Sequence, residues 1–338
     1  MNYTNSTLSY GRPPSIPPAY ILDRVWAYVF VGIYVPLSIA ITLGNALVIA
    51  AFFTTPKLKT KTNYFIVSLA VADLIVGTFS VPMWMYVLVT QDFSNPLYKA
   101  FQAVDMVSGV SSIMHLTCIS LERCYAIIAP LKHMRIKKAV LYSAIVMSWS
   151  LGILSSVLKT STGSNKKFVV TFVTSGFFFT PLLVIFIAYF LIFITARRSI
   201  TAHRGRSLKK DLHIAYTVAV VIGIFVICWL PFFIISLLYT YCPSCTFVWD
   251  MRVVMTVKIF HYSNSVFNPI IYCVRNRRFY LAFARILRNP LICKDNSSND
   301  ELDSTRMNYK MTNRKKNMNC NGQDETCRLT VRFKGALG

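Results

Sequence analysis

Seven stretches of the chain are apolar for long enough to leave little choice of fold; they lie near 24–53, 63–90, 99–128, 139–158, 168–196, 212–240 and 251–274. A helix rising ~1.5 Å per residue crosses a hydrocarbon layer about 30 Å thick in roughly 20 residues, and each stretch meets that length. In lipid the backbone groups must satisfy one another, so runs of this kind span as helices. Composition agrees: 54% of the 338 residues are apolar and only 14% charged, against roughly 25% charged in a soluble domain. The expected fold class is an all-α membrane protein, a seven-transmembrane helix bundle.

The remaining segments divide into an N-terminal tail at 1–23, the bundle at 24–274, a short segment at 275–288 and a polar, Asn-rich tail at 289–338. In 275–288 arginines alternate with Phe279, Leu281, Phe283, Ile286 and Leu287, which predicts an amphipathic eighth helix on the membrane surface. The last tail has a composition that predicts disorder. The first ~20 residues are polar and Pro-rich, so no cleavable leader is expected and the first apolar run serves as its own insertion signal.

The chain carries a net charge of +23, from 36 Lys+Arg against 13 Asp+Glu. In a soluble protein that excess would point to nucleic acid. Here its placement decides. Eighteen basic residues fall in one set of alternating connections and the surface helix, including Lys57, Lys132, Arg204, Lys210 and Arg278, and seven on the opposite side. The basic side is cytoplasmic by the positive-inside rule, so the N-terminus is extracellular and the C-terminus cytoplasmic. The charge then records topology and offers a contact surface to acidic lipid, not to nucleic acid. Asn2 and Asn5 head glycosylation sequons on the outer tail, and Cys242 and Cys245 fall in an outer connection, which suits this orientation. The nine cysteines show no repeated metal-ligand spacing.

Ionisable groups within spans are costly and mark function; here they are Asp73, Asp105, Glu122, Arg123, Asp211 and Lys258. Asp73 can be grouped with Asn45, Ser112, Asn264, Ser265 and Asn268, either as an oxygen-lined site for sodium or as a hydrogen-bonded polar core. Glu122, Arg123 and Asp211 form a candidate ionic latch at the cytoplasmic rim, with a helix N-cap as the other reading of Asp211. Asp105, with Trp84, Phe101, Trp229, Phe232, Phe233 and Tyr262 at similar depth, offers the makings of an ammonium site through ion pairing and cation–π attraction. Lys258, one turn outward of Tyr262 on the same face, is a rival that neutralises Asp105 from within. Pro181, Pro231 and Pro269 set kinks in helices five, six and seven.

Gly44-Asn45, Leu69-Ala70-Val71-Ala72-Asp73, Glu122-Arg123-Cys124, Trp149, Pro181 with Tyr189, Phe225 with Cys228-Trp229-Leu230-Pro231, and Asn268-Pro269-Ile270-Ile271-Tyr272 occur in order along the seven spans. Together they resemble the signatures of the rhodopsin-like (class A) G-protein-coupled receptors over about residues 24–290. The resemblance implies a switch. Ligand would repack Trp229 and the trio Pro181, Ile113 and Phe225, helix six would swing about Pro231, and Arg123 would leave Glu122 and Asp211. Tyr189 and Tyr272 would support the open form while a heterotrimeric G protein enters. The resemblance also places a sodium ion at Asp73, Ser112, Asn264, Ser265 and Asn268; no other cofactor is implied.

Within that family, Asp105, Tyr262 and the stretch His261-Tyr262-Ser263-Asn264-Ser265 resemble the biogenic-amine branch, as does Cys242-Pro243-Ser244-Cys245, which implies a small loop disulfide. Helix two at 62–69 resembles adenosine receptors. The implied ligand is an extracellular amine held by Asp105, Tyr262, Trp229, Phe232, Phe233 and Lys258, with a nucleoside, peptide or zwitterion as the alternative. Tyr98 stands where the family's helix-three cysteine is usual, so the loop-two disulfide is expected to be missing, and Val173, Thr174 and Phe177 disfavour a catechol. Cys293 is a candidate palmitoylation site, and Ser297, Ser298, Ser304 and Thr305 are candidates for receptor kinases and arrestin. A retinal photoreceptor is a distant alternative, since the opsin lysine would have to replace Tyr262. No enzyme is expected, because only His115 and His261 lie within spans and no catalytic motif accompanies them.

Overall fold

A computed structural model describes residues 22–161, 166–200, 206–242, 244–245 and 250–288. The helices are α1 (Arg24–Thr54), α2 (Lys61–Thr90), α3 (Pro96–Ile128), α4 (Lys138–Ser161), α5 (166–200), α6 (Arg206–Tyr241), α7 (Met251–Arg275) and α8 (Arg277–Arg288). The protein is thus an all-α seven-helix bundle followed by a short eighth helix. A further helical turn, Pro130–Met134, lies between α3 and α4. The described residues up to Leu287 form one compact unit, and of the second, Arg288–Gly338, only Arg288 is described. Asn2, Asn5, Cys293 and the Ser/Thr cluster at 297–305 lie outside the described residues.

Helix ends are set by local chemistry. The side chain of Asp23 accepts from Val25 N at 3.3 Å, Asn95 from Leu97 N at 2.9 Å ahead of Pro96, and Asp250 from Arg252 N at 2.8 Å; these are N-caps for α1, α3 and α7. At the far end of α2, Gln91 adopts φ 52° and its amide donates to the Leu22 carbonyl at 2.6 Å, tying that corner to the start of α1. Two helices widen locally into π-type turns, at Val76–Ser80 in α2 and Ser175–Phe179 in α5. Each precedes a proline, Pro82 and Pro181, whose ring lacks the N–H that would close a regular turn. The Ser175 carbonyl accepts the Thr180 backbone N–H across this wider turn and the Thr180 hydroxyl as well, at 2.8 Å.

Six of the described helices are apolar enough over their length to cross a membrane. The seventh crossing, α7, is diluted by Lys258, His261, Asn264, Ser265 and Asn268, and all five are buried in the bundle. α6 begins at Arg206, so Asp211 sits more than a turn inside the helix, and the expectation of an N-cap at Asp211 is corrected. α8 splits its apolar residues between two neighbours: Phe279 and Phe283 are buried against the bundle, with Tyr272 and Phe279 rings 5.8 Å apart, while Leu281 and Leu287 remain exposed. The guanidinium of Arg278 holds the Lys57 carbonyl at 3.0 Å, closing α8 onto the α1–α2 connection.

Candidate functional site

At the Asp105 end, α2 to α7 all contribute to the lining of a cavity of about 290 Å³, Lys159 of α4 among them. Its walls are mainly aromatic, from Trp84, Phe101, Phe177, Phe178, Phe225, Trp229, Phe232 and Phe233. The rings pack on one another: Phe178 and Phe233 centroids are 3.9 Å apart, Phe225 and Trp229 5.3 Å, and Trp229 and His261 3.9 Å. Trp229 fits under the cavity because Gly109 faces it; a Cβ at that glycine would stand 2.5 Å from the edge of the indole. Val173, Thr174 and Phe177 line the cavity as expected, leaving only the Thr174 hydroxyl among the three.

The open question at Asp105 is decided by geometry. Lys258 Nζ donates to Asp105 Oδ2 at 2.6 Å and to the Tyr262 hydroxyl at 3.4 Å, with the two charged side chains 8% and 11% exposed. The same ammonium lies over the rings of Phe101 at 4.9 Å, Phe232 and Tyr262 at 5.2 Å each, and Trp84 at 5.6 Å. The group expected to hold a ligand's ammonium is therefore already satisfied by a side chain of the protein. Several polar atoms around it are buried without a hydrogen-bond partner: Asp105 Oδ1, Trp229 Nε1 and His261 Nδ1.

Tyr98, at the position of the family's helix-three cysteine, sits in an aromatic cluster. Tyr98 packs on Phe93 at 5.3 Å and on Phe101 at 6.1 Å, and Phe101 stacks on Trp84 at 5.0 Å. Cys242 and Cys245 form a disulfide, and Cys118, Cys124, Cys228 and Cys273 are free.

Midway along the bundle Asp73 is buried. Ser265 Oγ donates to its Oδ1 and Asn268 Nδ2 to its Oδ2, each at 2.7 Å. Ser112 instead donates to Ser108 O at 2.9 Å, and Asn45 to Ile41 O and Ser265 O. Asn264 Oδ1 and Asn45 Oδ1 are buried and unpaired. A single carboxylate, hydroxyls and amide oxygens with unspent lone pairs suit a small monovalent cation.

At the opposite end of α3, Arg123 Nε donates to Glu122 Oε2 at 2.6 Å. Glu122 also accepts from Thr62 Oγ1 at 3.0 Å and meets His133 Nε2 at 2.7 Å. Thr62 and His133 had no place in the expected latch; Thr-containing helix starts and connection histidines are too common in sequence to single out. The side chain of Asp211 lies outside the described residues. Ile113, Phe225 and Trp229 share one apolar core and Pro181 is buried. Tyr189 packs against Cys124, Ile127, Ala188 and Ile192 with its hydroxyl buried, and Tyr272 is buried above Phe279.

The sequence profile described as "7 transmembrane receptor (rhodopsin family)" matches residues 44–169 and 158–272. Among curated proteins, the chain is 28% identical to the adenosine receptor A2a of Canis lupus familiaris over 312 residues, covering 80% of this chain and 75% of that receptor. It is 28% identical to the adenosine receptor A2b of Bos taurus over 306 residues and 29% identical to that of Homo sapiens over 310 residues, in both cases covering 78% of this chain and 92% of the relative. These similarities overturn the assignment to the biogenic-amine branch, and the occupied Asp105 gives the physical reason: the residues that suggested an amine site are spent on Lys258.

Proposed function

The chain belongs to the rhodopsin family of seven-transmembrane receptors, and from that premise we propose that its extracellular ligand is an uncharged, planar heteroaromatic molecule of the nucleoside class. As a member it is a multi-pass plasma-membrane protein that couples a ligand to a heterotrimeric G protein, in a family not known for enzymes. The observation that carries the ligand reading is the cavity's chemistry. Aromatic faces and the unspent N–H of Trp229 are offered, while the one carboxylate has its cation in Lys258 and a second lysine, Lys159, also lines the cavity. A flat heterocycle stacks on such walls; a ring nitrogen accepts from the Trp229 N–H, and a sugar hydroxyl donates to Asp105 Oδ1. The relatives carry adenosine in their names, which favours the same class.

In this reading the ligand presses on Trp229, Phe232 and Phe233, and the push passes through Phe225, Ile113 and Pro181. α6 pivots at Pro231, Arg123 leaves Glu122 and Asp211, and Tyr189 and Tyr272 fill the opened space. Sodium at Asp73, Ser112, Asn264, Ser265 and Asn268 favours the resting form. The N-terminus with Asn2 and Asn5 is outside. The tail from 289, with Cys293 as lipid anchor, is inside for receptor kinases and arrestin.

The test is a second-messenger assay in transfected cells, reading cAMP and calcium across nucleosides and amines, with Trp229→Phe and Asp105→Ala beside the wild type. A nucleoside response weakened by Trp229→Phe is expected. Silence to every nucleoside, together with an amine response that disappears in Asp105→Ala, would reverse the reading.

A further inference from the structure

The most complete binding arrangement in the molecule is one that the protein fills itself. A carboxylate at 2.6 Å and four aromatic rings with centroids 4.9–5.6 Å away surround the Lys258 ammonium. Rings within about 6 Å attract a cation through their electron-rich faces, and the carboxylate supplies the counter-charge. Every part of an ammonium site is present, contributed by Asp105 of α3, Trp84 of α2, Phe101 of α3, Phe232 of α6 and Tyr262 of α7. Its occupant is tethered one helical turn away on α7, so its local concentration exceeds that of any free amine. An added cation must either displace Lys258 or sit beside it, and both leave a buried positive charge uncompensated.

We propose that Lys258 is the specificity-determining residue of this cavity: its side chain is an internal ammonium ligand that bars external amines, and shortening it exposes a working amine site. Truncation to alanine removes three methylenes and the ammonium, a hole the size of propylammonium, opening beside a cavity large enough for a phenyl group. Phenethylamine therefore places its ammonium on Asp105 and its ring against Phe232. The proposal goes beyond the nucleoside reading and does not depend on it, since it concerns which ligands are refused.

The experiment compares full-length wild type, Lys258→Ala, Lys258→Met and Lys258→Ala/Asp105→Asn, with phenethylamine and propylamine as probes. Surface level is read by antibody with and without amine in the medium, and melting temperature on purified receptor. Neither readout uses evoked signalling, so failure here leaves the nucleoside reading standing, and the reverse holds too. Lys258→Ala is expected to show a severalfold lower surface level that amine restores, and a melting temperature raised several degrees by millimolar amine. Lys258→Met keeps the hole filled, and Asp105→Asn removes the counter-charge, so neither of those two variants responds. Wild type stays unmoved. An equal amine shift in wild type, or no amine effect on Lys258→Ala in either readout, overturns the proposal.

Discussion

Gly109 gives Trp229 its position. The indole is held on its other sides by Phe225, Phe233 and His261, so it has nowhere to retreat when a methyl arrives 2.5 Å from its edge. Overpacking of this kind costs about 1–3 kcal/mol. Gly109→Ala is expected to lower the melting temperature of purified receptor and to change basal second-messenger output, because the displaced ring sits on the proposed activation path; an unaltered melt and basal level would show that the indole has room. At this scale the sequence was uneven in what it made legible. Asp105 and Lys258 stood out because charge in an apolar span is costly. Their union was not readable: 153 residues separate them, and only the packing of α3 against α7 decides between a free anchor and a closed pair. Gly109 carried no signal, because a glycine matters here only through a neighbour on another helix.

Helices were legible where physics acts along one segment. Apolar length located all seven spans, and Pro231 and Pro269 lie within α6 and α7. The widened turn before Pro82 has no sequence signature, since a proline does not reveal whether its helix kinks or loosens. Boundaries near the ends depended on caps, and α7 shows why these matter to the site. Asp250 accepts from Arg252 N at 2.8 Å, and the Arg252 guanidinium reaches its carboxyl at 2.7–3.1 Å. Those hydrogen bonds from Arg252 hold the Asp250 carboxyl below its usual range. Eight residues on, the same helix presents Lys258. Asp250→Ala is expected to cost about 1 kcal/mol, as for loss of an N-cap. A depressed folded-state pKa contributes stability that is full above the unfolded value near ~3.9 and is lost as pH falls through the folded value. The melting difference between wild type and Asp250→Ala should therefore be greatest at neutral pH and shrink on acidification below pH ~4. A difference that persists unchanged in acid would assign the loss to something other than the carboxylate.

Across the whole molecule, α3 joins two ends that must communicate. Asp105 is tied to α7 at one end and Glu122–Arg123 is closed at the other, the arrangement proposed above for the resting form. The closure at the Arg123 end is broader than the sequence suggests, because Glu122 binds the start of α2 through Thr62 and the Pro130–Met134 turn through His133 as well as its neighbour Arg123. A carboxylate with three partners holds Arg123 and shapes the adjoining connection in one stroke. Glu122→Gln keeps the size but removes the charge, weakening charge-assisted hydrogen bonds worth about 1.5–3 kcal/mol each. Loss of even one such bond in the resting state shifts a two-state balance by about tenfold or more toward the open form. Basal second-messenger output, normalised to surface receptor, is thus expected to rise severalfold in Glu122→Gln. His133→Ala should rise less, since Arg123 and Thr62 remain on the carboxylate. The order carries the argument: if His133→Ala matches or exceeds Glu122→Gln, the turn rather than the arginine is what holds the receptor at rest.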